Sequence, residues 1–202
     1  MPRIALVTPE QASIETRKVY GQIEREWGSL LADFLLLGNS PRILRGVHEL
    51  FHSLQGEHGG SVADLMDKEL VAIRTSYLNG CAYCLGHNVD FGQQVGLTLE
   101  QVQAVMTADY RTNAVLSDKQ KALIRWTEAV TLNTAGEDDE ALAELKQHFS
   151  EPEIAELTLM CGLFSMWNRF TDAFKVELEA PEDRVMTACL AATTRVHPVA
   201  RQ

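Results

Sequence analysis

Long apolar runs are missing from this chain. No stretch reaches the roughly 20 consecutive apolar residues that a membrane-spanning helix needs, and the opening MPRIALVTPEQ lacks the basic-then-apolar layout of a secretory signal. A cytoplasmic protein without a membrane partner is expected. Positive charge is also short: 18 Lys and Arg stand against 28 Asp and Glu, a formal net charge of −10. That balance argues against a sequence-independent grip on phosphate backbones, so no nucleic-acid partner is expected. No clean alternation of β-branched residues marks a strand, and turn dipeptides flank helical patterns instead, which predicts an all-α, multi-helical protein. No linker rich in Gly, Ser or Pro divides the sequence, so 1–202 is expected to form a single helical domain.

What is present is the balance of an ordinary folding domain, with 46% hydrophobic and 23% charged residues in 202. Taken in order, Pro9 and Glu10 open a pattern in which Ile14, Val19 and Ile23 recur at near-helical spacing up to Trp27–Gly28. The apolar run Leu30–Leu37 stops at Gly38-Asn39-Ser40, and Pro41 then suits a first helical turn. From Pro41 to Leu54, the residues Ile43, Leu44, Val47, Leu50, Phe51 and Leu54 repeat at three and four, which predicts an amphipathic helix. His48 and His52 lie one turn apart on it. That spacing can hold a metal, but no further ligand stands nearby in sequence, so they read as exposed or interfacial histidines.

Gly56–Gly60 is a polar loop, and Ser61, three before Asp64, reads as the cap of a helix running to about Leu78. Leu65, Leu70, Ile73, Tyr77 and Leu78 form its buried stripe, with Lys68 and Arg74 assigned to a wetter face. Glu69 lies beside the stripe, where partial burial would raise its pKa and let it move protons. Further on, Thr98 with Gln101 and Ser117 with Gln120 match the capping-box pattern. The acidic stretch Glu137–Glu140 suits a helix start through the helix dipole and reads as structural. Ser150-Glu151-Pro152-Glu153 opens a long helix to about Val176, whose Met160, Leu163, Phe164, Trp167 and Phe170 read as core or subunit interface. A last helix and tail are expected from Pro181.

The chemistry concentrates in Asn79–Asn88, NGCAYCLGHN. Asn79-Gly80 breaks one helix, and Cys81–Gln94 reads as the next, with CxxC in its first turn. In a reducing compartment four cysteines are no disulfide framework, so Cys81 and Cys84 are candidates for redox or metal chemistry. Cys161 and Cys189, alone in apolar sequence, read as buried small hydrophobes. At a helix N-terminus, unpaired N–H groups and the dipole stabilise a thiolate. At about 100° per residue, Asn88 returns to within ~20° of Cys81, whereas His87 points about 120° away and flanks only Cys84. Three readings follow from the residues. One is a thiol peroxidase or disulfide oxidoreductase in which one thiolate attacks and the other resolves the product. The second is a zinc site on Cys81, Cys84 and His87, for which a fourth ligand is missing nearby. The third is a non-catalytic scaffold with inert cysteines. No cofactor is expected.

From Pro41 to Glu179 the chain resembles the alkylhydroperoxidase D-like, carboxymuconolactone decarboxylase-like family. The stretch KELVAIRTSYLNGCAYCLGHN is similar to that family's glutamate twelve residues before a CxxC followed by histidine, and SEPEIAELTLMCGLFSMWNRFTDAF, with Asn168-Arg169, is similar to its C-terminal helix. The resemblance implies an all-helical fold around a 41–179 core, with 1–40 as a helical lead and 181–202 as a tail. It implies assembly into homo-trimers or hexamers, and reduction of small hydroperoxides at the expense of a dithiol or thioredoxin-like reductant. Carried over, Glu69 assists protonation, Cys84 is the peroxidatic thiol and Cys81 resolves it, with Tyr83 and Asn88 as supporting residues. Peroxidase members place a relay histidine four residues after the second cysteine; this chain has Asn88 there, and His87 one position earlier. Asparagine orients a water or hydrogen-bonds a thiolate but does not shuttle a proton as imidazole does.

Overall fold

The computed structural model describes residues 2–55 and 61–179, and the secondary structure among these residues is helical throughout. The all-α expectation holds. The described residues group into two compact units, one comprising the N-terminal part to Ser61 with residues 171–179, the other residues 62–170. The loop expected at Gly56–Gly60, the helix expected after Pro181 and Cys189 lie outside the described residues.

In the first unit, α1 spans Ile14–Trp27, α2 Ala32–Leu37 and α3 Pro41–Gln55. Helix α1 begins later than the sequence pattern predicts, because Ser13 caps it: its hydroxyl accepts the Thr16 N–H at 3.0 Å. Gly28, at φ 75°, closes it in the left-handed conformation that glycine adopts without strain. Tyr20 packs inward and donates its hydroxyl to the Val7 carbonyl at 2.9 Å; burial pushes its pKa up to about 12. A Cβ on Gly38 would stand 2.0 Å from that hydroxyl, so only glycine fits there. Trp27, Phe34 and Phe51 cluster, with the Trp27 and Phe34 centroids 5.1 Å apart.

The buried face of α3 is Leu44, His48, Phe51 and Leu54. Two expectations are corrected here. Ile43 lies on the solvent side, 55% exposed, and His48 takes a core position in the stripe. The reason is Glu26 of α1, whose carboxylate meets His48 Nε2 at 3.0 Å and His52 Nδ1 at 2.5 Å. His52 remains exposed.

The second unit is built on α4, Leu65–Asn79, which packs against α5 (Ala82–Gln94), α6 (Leu99–Val105) and α7 (Asp118–Thr131). Helix α8 is Asp139–Leu145, and α9 runs Glu151–Phe174. The capping boxes at Thr98 and Ser117 form as expected. The cap of α4 is Asp64, not Ser61: its carboxylate accepts the Met66 N–H at 2.8 Å. Met160, Leu163, Phe164 and Trp167 of α9 are core residues, and among the described residues no helix is long and apolar enough to cross a membrane.

Lys68 and Arg74 correct the expectation of a wet face, since both are buried. Helix α4 is covered around its circumference from Asp67 to Ser76, so its polar positions face other helices instead of water. Lys68 Nζ pairs with Glu156 of α9 at 2.9 Å, and Glu156 also accepts the N–H groups of Val62 and Ala63. Arg74 donates to the carbonyls of Val105 (2.6 Å) and Thr107 (2.9 Å), pairs with Glu128 of α7, and lies over the rings of Tyr77 and Tyr110. Tyr110 completes the cluster by donating to Glu128 at 2.5 Å. Burial, reinforced by that carboxylate, pushes the Tyr110 pKa up to about 12.

Removing Arg74 strips two carbonyls of a donor and Glu128 of its cationic partner. Arg74→Ala is expected to lower stability by about 3–5 kcal/mol in urea unfolding, and a loss below ~1 kcal/mol would show that the cluster is dispensable. Asp67 gives a pH signature. Burial raises its pKa above the ordinary 3.8 despite the Lys119 ammonium at 2.7 Å. The folded chain therefore keeps this proton where the unfolded chain has lost it, and the advantage present below pH 3.8 disappears as pH rises through the folded pKa. The stability of the wild type relative to Asp67→Asn is expected to fall as pH rises from below that value to neutrality, measured by urea unfolding at each pH.

Candidate active site

The turn between α4 and α5 forms as the sequence requires. Gly80, at φ 72°, caps α4 in the left-handed region, and the Cys81 N–H is returned to the Ser76 carbonyl at 3.0 Å. Cys81 is the N-cap of α5, and its sulfur accepts the Cys84 N–H at 3.4 Å. Both cysteines are buried thiols; Cys81 is fully enclosed and Cys84 nearly so. A first-turn amide aimed at sulfur stabilises negative charge on it, and the pair sits where the α5 dipole adds to that effect.

The remaining predicted residues fall on two faces of α5. Asn88 is buried one turn beyond Cys84 and donates its amide to the Ser76 hydroxyl at 3.3 Å. Gly92 follows a turn later, and a Cβ placed there would lie 3.8 Å from Glu69 Cβ. Glu69 is thus fully buried on α4 and packs toward α5 on the stripe that carries Asn88. Gly92 permits this approach, since the same Cβ would press to 3.1 Å from Ile73 and Leu97. His87 is half-buried and packs edge-on against Tyr83, centroids 4.7 Å apart. Tyr83, between the two cysteines in sequence, is buried.

Sequence reasoning missed Ser76 and the side-chain role of Asn79. Asn168 of α9 donates its amide to the Ser76 hydroxyl at 3.1 Å, and its carbonyl oxygen accepts from Asn79 Nδ2 at 2.9 Å. Both Ser76 and Asn168 are completely buried polar side chains, a burial that periodicity alone does not reveal. Arg169, the other half of the Asn-Arg pair, is exposed and donates back to Ser165 O of its own helix. Cys161 is buried as expected, its sulfur 3.4 Å from the Thr75 hydroxyl and 3.2 Å from that of Thr131. Among the described residues no group of three or more His, Cys, Asp and Glu side chains is arranged to hold a metal ion.

The chain is similar to known proteins over the segment that carries this geometry. The model described as Carboxymuconolactone decarboxylase family matches residues 49–129, the segment carrying α4, the CxxC turn, α5 and most of α7. The match falls on the family that the glutamate and CxxC pattern resembled, over the segment that carries both. A protein of unknown function from Agrobacterium tumefaciens, classed provisionally with the antioxidant defence protein AhpD, shares 27% identity. Its TM-score is 0.64, over 72% of this chain and 96% of that one. At the level of fold alone, the debrominase Bmp8 is similar over 96% of this chain and 97% of its own, with 20% identity and a TM-score of 0.75. An uncharacterized peroxidase-related protein from Silicibacter sp. TM1040 is similar over 89% and 92%, with 19% identity and a TM-score of 0.76.

Proposed function

We propose that the protein is a thiol-dependent peroxidase that reduces small hydroperoxides through Cys81 and Cys84. The observation that carries this reading is the buried cysteine pair at the start of α5, with an amide N–H directed at one sulfur. The Cys84 thiolate attacks the outer oxygen of ROOH; the O–O bond breaks, Cys84 becomes a sulfenic acid, and RO⁻ takes a proton to leave as ROH. The Cys81 thiol then displaces hydroxide from that sulfur, which leaves as water, and a disulfide forms. A dithiol or thioredoxin-like reductant returns the pair to two thiols and becomes a disulfide itself. Cys84 keeps slight solvent exposure and Cys81 none, which favours Cys84 as the sulfur that peroxide meets.

Glu69 and His87 are the groups assigned to proton movement in this scheme. Asn88 stands where peroxidase relatives have a relay histidine and serves as a hydrogen-bonding group instead. Tyr83 supports His87 by ring packing. Self-assembly into a trimer or hexamer belongs to the same reading, as the family resemblance implies. The likeness to Bmp8 along nearly the whole chain favours a second reading, reductive dehalogenation. There an aryl bromide and the two thiols would yield the debrominated ring, bromide, a proton and the disulfide. A cysteine-to-alanine variant of Bmp8 is solved with 2,3,4-tribromopyrrole, which supplies the probe.

Consumption of hydrogen peroxide with dithiothreitol as reductant is expected to fall to background in Cys84→Ser, whereas Cys81→Ser, treated with peroxide in the absence of dithiothreitol, is expected to consume one equivalent and accumulate a sulfenic acid that dimedone traps. Equal rates for wild type and Cys84→Ser would overturn the cysteine mechanism, and bromide release from 2,3,4-tribromopyrrole without peroxide consumption would replace it with the second reading. Restoring a proton relay gives a gain-of-function test. Asn88→His is expected to raise kcat/KM for peroxide about tenfold or more; an unchanged or lower rate would show that proton transfer at this position is not limiting.

A further inference from the structure

Asn168 belongs to α9, yet its amide binds the residues on either side of the cysteine turn. Its oxygen holds Asn79, the last residue of α4 and two before Cys81. Its nitrogen donates to the Ser76 hydroxyl, which also receives Asn88, four residues after Cys84. Ser76 in turn accepts the Cys81 N–H through its carbonyl. The segment from Asn79 to Asn88 is thereby tied at one end directly to α9 and at the other to Ser76 of α4, which Asn168 of α9 also holds. A completely buried amide, on a helix whose Met160, Leu163, Phe164 and Trp167 are core residues, is costly unless satisfied. Both bonds go to the last turn of α4, directly before the cysteine turn.

From this geometry we infer that Asn168, acting through Ser76, Asn79 and Asn88, is a positioning residue that sets the reduction potential of the Cys81–Cys84 pair. The inference rests on the redox reading above. In the dithiol structure the network is complete, with Cys81 capping α5. Oxidation would join two side chains of the segment that these bonds hold, and the bonds are made with both cysteines as free thiols. The network therefore stabilises the dithiol form and makes the pair more oxidising. Releasing Asn168 favours the disulfide.

The experiment is equilibration with glutathione, in which protein dithiol plus glutathione disulfide gives protein disulfide plus two reduced glutathiones. No peroxide is involved, so the constant does not depend on whether the pair reduces a peroxide or an aryl bromide. Asn168→Ala is expected to shift the equilibrium toward the protein disulfide about tenfold, a potential ~30 mV more negative. Ser76→Ala is expected to move it in the same direction, and Ser76→Thr, which keeps the hydroxyl, to restore the wild-type constant. Thr158→Val is the control for general loosening: on the same helix it removes the 2.8 Å bond from Trp126 Nε1 and is expected to leave the equilibrium constant unchanged. If Asn168→Ala does not fold, the Ser76 pair carries the same comparison. Equal constants in wild type and both alanine variants, or an equal shift in Thr158→Val, would overturn the positioning role. A wild type that forms no disulfide at any glutathione ratio would overturn the redox reading and this inference together.

Discussion

The second unit depends on one constraint: α4 has no wet face, and every polar group on it must be answered from another helix. An unpaired buried charge costs several kcal/mol, so Lys68 and Arg74 cannot be accidental occupants. Lys68 draws Glu156 of α9 inward, and Glu156 also fixes the strand of chain leading into α4. Arg74 collects the end of α6 through two carbonyls and α7 through Glu128, with Tyr110 closing the cluster. These contacts orient α6, α7 and α9 about α4 more specifically than apolar packing would, because charge-assisted bonds tolerate little misplacement.

The cysteine turn inherits that rigidity. It begins at the C-terminus of α4, where Gly80 reverses the chain, and its first cysteine becomes the cap of α5. The helix start supplies N–H groups for negative charge, and burial keeps water away from sulfur. Glu69 lies on the same helix pair, facing α5 beside Gly92. The cysteine pair and its supports therefore sit on helices, which hold side chains more precisely than loops do. The first unit shows the same logic on a smaller scale, where one carboxylate, Glu26, answers two histidines of α3.

Much of this was legible in the linear sequence. Helix boundaries followed from local chemistry, as with the capping boxes at Thr98 and Ser117 and the glycine stops at Gly28 and Gly80, since the groups that make a cap lie within a few residues. The CxxC at a helix start, and the glutamate twelve residues earlier, were readable for the same reason. Less readable was which way a helix faces once it is covered on all sides. Periodicity assumes one apolar face and one wet face. That assumption misplaced Lys68 and Arg74, left His48 outside the core, and put Ile43 inside it.

The amino-acid order by itself determined an all-helical protein, the capping boxes at Thr98 and Ser117, and a thiol pair held at the start of a helix, all of which rest on interactions between near neighbours. The tertiary structure decided the rest. It brought Asn168 to Ser76, a sequence separation of 92 residues, and Lys68 to Glu156 on another helix. It also gave Asn88 a hydroxyl partner and turned His87 onto Tyr83. Such pairings have no local signal, because a buried polar residue reveals its partner only when the helices that carry both have packed.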